Sequence, residues 1–201
     1  APIRFYSDLM FNIYSNIPEI QYNIKKYKIN EELFFAQSKL ISNQFEYFKL
    51  HEKLNLVDNS LLLIGQLFED RSVIKDGKFL TLLDYKERLK ELSKIYNKIY
   101  FQKHPLMSSQ NFQLYFNEFK EINNIEYLEN INTYELLSRN EIKKVVSISS
   151  SVLYEAKFFS KEIEYFYKSV IDENYIMIYK DYCKTSFWMD ILSVNNKHID
   201  V

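Results

Sequence analysis

Glycine is almost missing: Gly65 and Gly77 are the only two in 201 residues. Two glycines so placed cannot write a GxGxxG turn or a Walker A loop, so glycine-cradled dinucleotide or triphosphate binding is excluded. Cysteine is reduced to Cys183. That rules out an internal disulfide framework and any metal centre built on cysteine pairs, and it makes a cytosolic setting the expectation. The three histidines, His51, His104 and His198, lie far apart, with none of the His/Glu spacing of a metalloprotease. No metal and no cofactor is expected. No run of eighteen apolar residues occurs, so no spanning helix is expected. No basic segment followed by an apolar one opens the chain, so no secretory signal is expected either. Charge of one sign is lacking too: 26 basic and 27 acidic residues leave a net charge of −1. A duplex-binding surface needs a basic excess, so nucleic acid is not an expected partner. The lysines are interspersed with glutamates, as on solvated helix surfaces.

What is present points to a packed globular protein. Hydrophobic residues make up 47% of the chain, with 17 Tyr and 16 Phe among them, enough for a real core. The length suits one large domain or two small ones. The chain opens on Ala1-Pro2 without an initiator Met, as a processed or excised fragment would.

Hydrophobic spacing divides the chain at Asp58. Residues 1–58 have helical character, with a break at Pro18 and one long helix expected over Leu33 to Leu54. Residues 59–201 change pattern. Leu61-Leu62-Leu63-Ile64 is a short continuous apolar run stopped by Gly65, the signature of a buried parallel strand. A helical period follows over Leu82 to Asn97, then a strand at Ile99 to Phe101. A helix over Asn111 to Ile122 leads to a strand at Ile125 to Leu128. A short helix at Tyr134 to Asn140 precedes a strand at Lys144 to Ile148, and Ser151 to Phe159 is helical. Ile163 to Tyr167 and Tyr175 to Ile178 are further strand candidates, and a helix over Tyr182 to Val194 closes the chain. This alternation predicts an α/β fold, a Rossmann-like parallel sheet flanked by helices, with a helical N-terminal segment. Leu61–Ile64, Ile99–Phe101 and Lys144–Ile148 are expected as neighbouring or near-neighbouring strands.

In such sheets ligands bind at the carboxyl ends of the strands. Three ends carry candidate residues: Gly65-Gln66, His104-Pro105 and Ser149-Ser150-Ser151. His104 follows a strand, and Pro105 restricts its backbone. A loop imidazole there can donate a hydrogen bond or a proton to a phosphate oxygen; an ordinary turn histidine has the same spacing. The serines stand between a β-branched strand and an apolar helix. One of them is explained as an N-cap; three in a row suit an anion as well. Glu135 opens the helix after the third strand. It suits either ribose hydroxyls or the helix dipole. The acids Glu69, Asp70 and Asp76 are mixed with Arg71, Lys75 and Lys78, as in a solvated loop.

Taken together, these residues resemble a known pattern. Tyr100-Phe101-Gln102-Lys103-His104-Pro105 resembles the His-Pro motif of bacterial GT-B sialyltransferases, the group of the lipooligosaccharide sialyltransferases and capsule polysialyltransferases. Ser149-Ser150-Ser151 resembles their paired-serine motif, 45 positions on (149 − 104). Ile131 to Leu137 is similar to the segment whose glutamate, here Glu135, holds the CMP ribose. Leu61 to Gln66 resembles the strand and loop that open the donor domain. The likeness covers residues 60–190. It implies an inverting, metal-independent transfer of sialic acid from a CMP-sugar donor to a glycan acceptor of lipooligosaccharide or capsule. His104 would serve the departing phosphate, and Gly65, Gln66, Pro105, Glu135, Ser149, Ser150 and Ser151 would bind substrate. A cytoplasmic place with peripheral association at the inner face of the bacterial inner membrane goes with it.

The family's acid-acid-Gly motif, source of the catalytic base, has no copy here. Glu69-Asp70-Arg71 lacks the glycine and Lys75-Asp76-Gly77 has one acid only. The chain is therefore expected to be the C-terminal, donor-binding half of such an enzyme. Two other readings fit the same pattern: a GT-B enzyme using a UDP- or GDP-sugar, and a non-enzymatic interaction module.

Overall fold

The structure, a computed structural model, describes residues 10–13, 15–27, 31–47, 54–70, 73–168, 176–179 and 184–193. In chain order the first elements are β1 (Met10–Ile13), α1 (Pro18–Lys26), α2 (Glu31–Tyr47), β2 (Ser60–Ile64), β3 (Ile74–Lys75) and β4 (Lys78–Phe79). A 3-10 turn at Leu82–Tyr85 leads into α3 (Lys86–Ser93), β5 (Lys98–Gln102), α4 (Ser109–Glu118), β6 (Ile125–Leu128) and α5 (Thr133–Ser138). Then come β7 (Ile142–Ser147), α6 (Val152–Ala156) with a 3-10 turn at Lys157–Phe159, β8 (Glu162–Tyr165), β9 (Ile176–Tyr179) and α7 (Thr185–Leu192).

The run Leu61 to Ile64 is buried on both faces, as its unbroken apolar character requires. It forms the middle of a five-stranded sheet in the order β6-β5-β2-β7-β8. Every pairing in that sheet is parallel. The three strands expected as neighbours are its central three. Because strand growth runs from β2 through β5 to β6 and then returns to β7 and β8, the direction reverses between β2 and β7. In a doubly wound sheet the loops leaving such a pair diverge and open a crevice at the carboxyl edge.

One face of the sheet carries the main core. Leu61, Leu63, Ile99, Phe101 and Val146 pack against Leu82, Leu89, Leu92, Phe112, Tyr115 and Phe119. Phe101 is ringed by Phe112, Tyr115, Phe119 and Tyr127, with centroids 5.5–6.4 Å away. Burial pushes the Tyr115 hydroxyl up to about 12. The aromatics of this cluster therefore act as core filler.

The compact units are discontinuous in sequence, unlike a linear division at Asp58. The larger holds Phe35–Ser169 together with Ala1–Ile3; the smaller joins Arg4–Phe34 with Val170–Val201. In the smaller unit β1 pairs antiparallel with β9. Two expectations are corrected there. Ile176–Ile178 of the strand expected at Tyr175–Ile178 lie in β9, which belongs to this pair and not to the parallel sheet, while Tyr175 lies outside the described residues. The N-terminal stretch is helical in α1 and α2, yet it also contributes β1. Asn23 Nδ2 ties α1 to the end of α7, donating to the carbonyls of Ile191 (3.1 Å) and Ser193 (3.0 Å).

Other bounds shift for local reasons. The helix expected from Leu82 begins as a 3-10 turn, because Thr81 and Asp84 form a capping box (Thr81 N to Asp84 Oδ2, 2.6 Å). It stops at Ser93, whose carbonyl, like that of Tyr96, accepts from Asn124 Nδ2 at 2.9 and 2.8 Å. The helix expected over Asn111–Ile122 runs Ser109–Glu118, started by the Ser108 cap. The β3–β4 hairpin, turning through Asp76 and Gly77 with positive φ, was not expected. Of the long helix expected to Leu54, residues 48–53 lie outside the described residues, as do Tyr182, Cys183 and Val194 of the last helix.

Candidate functional site

The residues singled out from sequence follow the carboxyl ends of three adjacent strands. At the end of β5 the chain makes a tight turn: the His104 carbonyl accepts the Met107 amide at 2.9 Å, with Pro105 at the first inner position. The His104 ring folds onto the same turn, its Nδ1 accepting the Leu106 amide at 3.1 Å. That hydrogen bond assigns the neutral tautomer, so the ring proton sits on Nε2.

At the end of β2, Gly65 lies flush against the β5 backbone. Its amide donates to the Gln102 carbonyl at 2.9 Å. A Cβ there would stand 2.8 Å from Gln102 O and 3.0 Å from His104 N. Glycine is needed at this position for room, and the next residue reaches the opposite way. Gln66, only 4% exposed, binds the serine loop with both ends of its amide. Gln66 Nε2 donates to Ser149 Oγ at 2.9 Å, and the Ser149 amide donates to Gln66 Oε1 at 3.0 Å. Gln66 Nε2 also reaches Asp70 Oδ2 at 3.1 Å. Below this pair the buried Ser147 hydroxyl donates to the Ile64 carbonyl at 2.9 Å and holds β7 to β2. Gly65-Gln66 thus bridges the His104 turn to the serine loop across the point where strand order reverses.

The serines divide. Ser149 is half-buried and fixed by Gln66. The Ser150 carbonyl accepts the Leu153 amide at 3.1 Å, and Ser151 is exposed at the start of α6 without a side-chain cap bond. That α-helix has five residues and continues as the 3-10 turn to Phe159, so the two together cover the helical run expected from Ser151 to Phe159 but for its first residue. Behind it, the Tyr134 hydroxyl donates to Glu155 Oε2 at 2.6 Å; both residues are buried, and the bond joins α5 to α6.

A cavity of about 480 Å³ opens beside the His104 turn, lined by Gln102, Lys103, His104, Pro105, Asn130, Ile131, Asn132 and Thr133. Its lining contains no carboxylate. Lys103 supplies an ammonium, which meets Glu129 at 3.1 Å. Asn132 caps α5, with Oδ1 accepting the Tyr134 amide at 2.9 Å, and Asn130 takes the left-handed conformation (φ 59°) that brings the loop round. His104 and Pro105 belong to the wall; Glu135 and the serines do not. Glu135 is half-buried in the first turn of α5 and acts electrostatically on Arg139. Gln102, Lys103 and the Asn130–Thr133 loop were not named as site residues from sequence, although Gln102-Lys103 lies in the His-Pro segment and Ile131–Thr133 in the segment that carries Glu135.

The arrangement offers an imidazole N–H, an ammonium paired with Glu129, hydroxyls and loop amides, with the Asp70 carboxylate beside them on Gln66. Such a set suits a phosphorylated ligand. Among the described residues, no group of three His, Cys, Asp or Glu side chains is placed to hold a metal, and no helix is long and apolar enough to cross a membrane.

The sequence profile described as alpha-2,8-polysialyltransferase (POLYST) matches residues 8–167. The chain belongs to the alpha-2,8-polysialyltransferase family. The match spans the two bridged loops and the cavity, so these features lie inside the region that defines the polysialyltransferase family. A search of curated proteins gave no match. Among solved structures, "Thermosulfurimonas dismutans KpsC, beta Kdo 2,7 transferase" is similar at 18% identity with a TM-score of 0.40. The alignment covers 71% of this chain and 47% of that one, so the polysialyltransferase-family chain matches about half of that protein's length.

Proposed function

We propose that the chain binds CMP-sialic acid and is the donor-binding part of an inverting, metal-independent GT-B sialyltransferase serving lipooligosaccharide or capsule. One observation carries the reading. In a polysialyltransferase-family chain, Gly65-Gln66 links the His104 turn directly to Ser149 at the crevice of a doubly wound sheet. The donor phosphate sits between the imidazole and the serine loop. The acceptor hydroxyl oxygen bonds to the anomeric carbon of the sialic acid while the bond from that carbon to the phosphate oxygen breaks, and CMP departs with the electron pair. His104 Nε2–H donates a hydrogen bond that stabilises the charge developing on that oxygen. Preorganised donors are most effective where charge develops in the transition state. The Ser149–Ser151 loop binds the remaining phosphate oxygens, Gln66 orients Ser149, and Glu135 binds the ribose. The proton of the acceptor hydroxyl goes to a base outside the residues identified in this chain.

Calorimetry with CMP, cytidine, UMP and GMP tests this. The parent should select CMP. His104→Ala, and Ser150→Ala combined with Ser151→Ala, should weaken CMP and leave cytidine almost untouched. Glu135→Gln should weaken both at unchanged stability. In an active enzyme containing this chain, His104→Ala should cost turnover about a hundredfold or more. Equal losses for cytidine and CMP would show that the site does not read phosphate. A preference for UMP or GMP would indicate another nucleotide sugar.

A further inference from the structure

Gln102 ends β5 and is 7% exposed. Its Nε2 donates to the Ile131 carbonyl at 2.8 Å, and because a carbonyl can only accept, this bond fixes which end of the amide is nitrogen. Its Oε1 is buried and lacks any hydrogen-bond partner, alone among the described buried side-chain atoms. Leaving a buried acceptor unpaired costs free energy, and native proteins rarely tolerate it without a role. Here the residue lines the cavity of about 480 Å³ that His104 also lines, a volume suited to a small-molecule ligand. Of the neighbouring polar atoms, Asn132 Oδ1 is itself an acceptor and is taken up in its cap, and Lys103 Nζ is engaged with Glu129. The missing group is a donor, and an occupant of the cavity can bring it.

We infer that Gln102 selects the base of the nucleotide: its Oε1 accepts a hydrogen bond from the exocyclic amino group of cytosine. This rests on the reading of the site as a nucleotide-sugar site. With the phosphate held at the His104 turn, the nucleotide lies against the β5 end and the 130–133 loop, and a modest turn of the carboxamide about its Ile131 bond meets the base. A phosphate offers only acceptors and cannot satisfy Oε1. Uracil presents a carbonyl where cytosine carries its amino group, so it places two acceptors face to face. Rejection by an unpaired buried acceptor discriminates more sharply than a lost van der Waals contact.

The test varies the ligand and the residue together, on the 201-residue chain. Binding of CMP, UMP and the 5′-monophosphate of 2-pyrimidinone riboside, which lacks the amino group, is measured by calorimetry for the parent and for Gln102→Met. The parent should bind CMP about tenfold or more tightly than either analogue. In Gln102→Met that preference should shrink to about threefold or less, chiefly through weaker CMP binding. A parent that binds the deaminated analogue as well as CMP overturns the inference, and this arm holds even where the variant fails to fold. A preference that persists in Gln102→Met overturns it too. Equal loss for all three ligands assigns Gln102 to the ribose and likewise overturns base selection. These three results leave the CMP-sugar reading standing, because CMP still binds and still responds to His104→Ala. Absence of any nucleotide binding by the parent defeats both.

Discussion

Gly65→Ala is the smallest change that strikes the centre of the site. The added Cβ would lie 2.8 Å from the Gln102 carbonyl oxygen, 3.0 Å from the His104 nitrogen and 3.1 Å from Phe101 Cε2. Ordinary contact begins near 3.4 Å, so the backbones must separate by 0.6 Å at the oxygen (3.4 − 2.8) and 0.4 Å at the nitrogen (3.4 − 3.0). Two of the three neighbours are backbone atoms of β5 and the turn after it, and they cannot rotate away. The Gly65 N–H to Gln102 bond, now 2.9 Å, must stretch with them. Overpacking of this kind costs about 1–3 kcal/mol. For a chain of this size that lowers Tm by roughly 2–12 °C. The same displacement pulls the His104 turn away from the Gln66–Ser149 pair. CMP binding should fall by about tenfold in molecules that remain folded. Scanning calorimetry gives the first quantity and titration below Tm the second. If Gly65→Ala melts and binds CMP like the parent, β2 and β5 are not in close contact at their ends, and the bridge between the loops is refuted.

Two other outcomes follow from the structure. Tyr134→Phe removes the donor to the buried Glu155 and should cost about 1–3 kcal/mol in urea unfolding; a loss near zero would mean the carboxylate reaches water. Lys161 donates to the Arg139 carbonyl at 2.8 Å, and burial, helped by the nearby Lys143 charge, lowers its ammonium to about 8 from an ordinary 10.5. Between those values the unfolded chain binds more protons, so this lysine's destabilising effect is full below about pH 8 and fades as pH rises toward 10.5. Relative to Lys161→Met, the parent should gain about 1–2 kcal/mol over that range, after allowance for solvent screening. A constant difference between the two proteins would place the amine in water.

The parallel sheet was legible because its central strand is apolar on both sides. Leu61 to Ile64 admits no amphipathic reading, and Gly65 marks where it ends. The smaller unit was not legible. Met10–Ile13 is four residues with no alternation, and its partner Ile176–Tyr179 lies at the other end of the chain. Taken locally, that partner is indistinguishable from one more parallel strand. At the site, His104 and the serines stood out by residue type and by the strands before them. The bond that orients the imidazole and the pairing of Gln66 with Ser149 depend on side-chain directions, which no spacing encodes. Gln102 was harder still. A glutamine closing an apolar strand is unremarkable until the positions of its neighbours show that its amide oxygen lacks a donor.

The middle position of β2 also governs how the molecule can be made. Both flanking strands come later in the chain: Leu61 pairs with Ile99 on one side and Lys144 on the other. A nascent chain therefore carries a bare apolar segment until β5 has emerged, and keeps one open edge until β7 follows. Contacts so distant in sequence slow folding, and unpaired apolar strands aggregate while they wait. Fragments ending before Ser147 should precipitate on expression, and any shortened version meant for binding work must keep β2, β5 and β7 together.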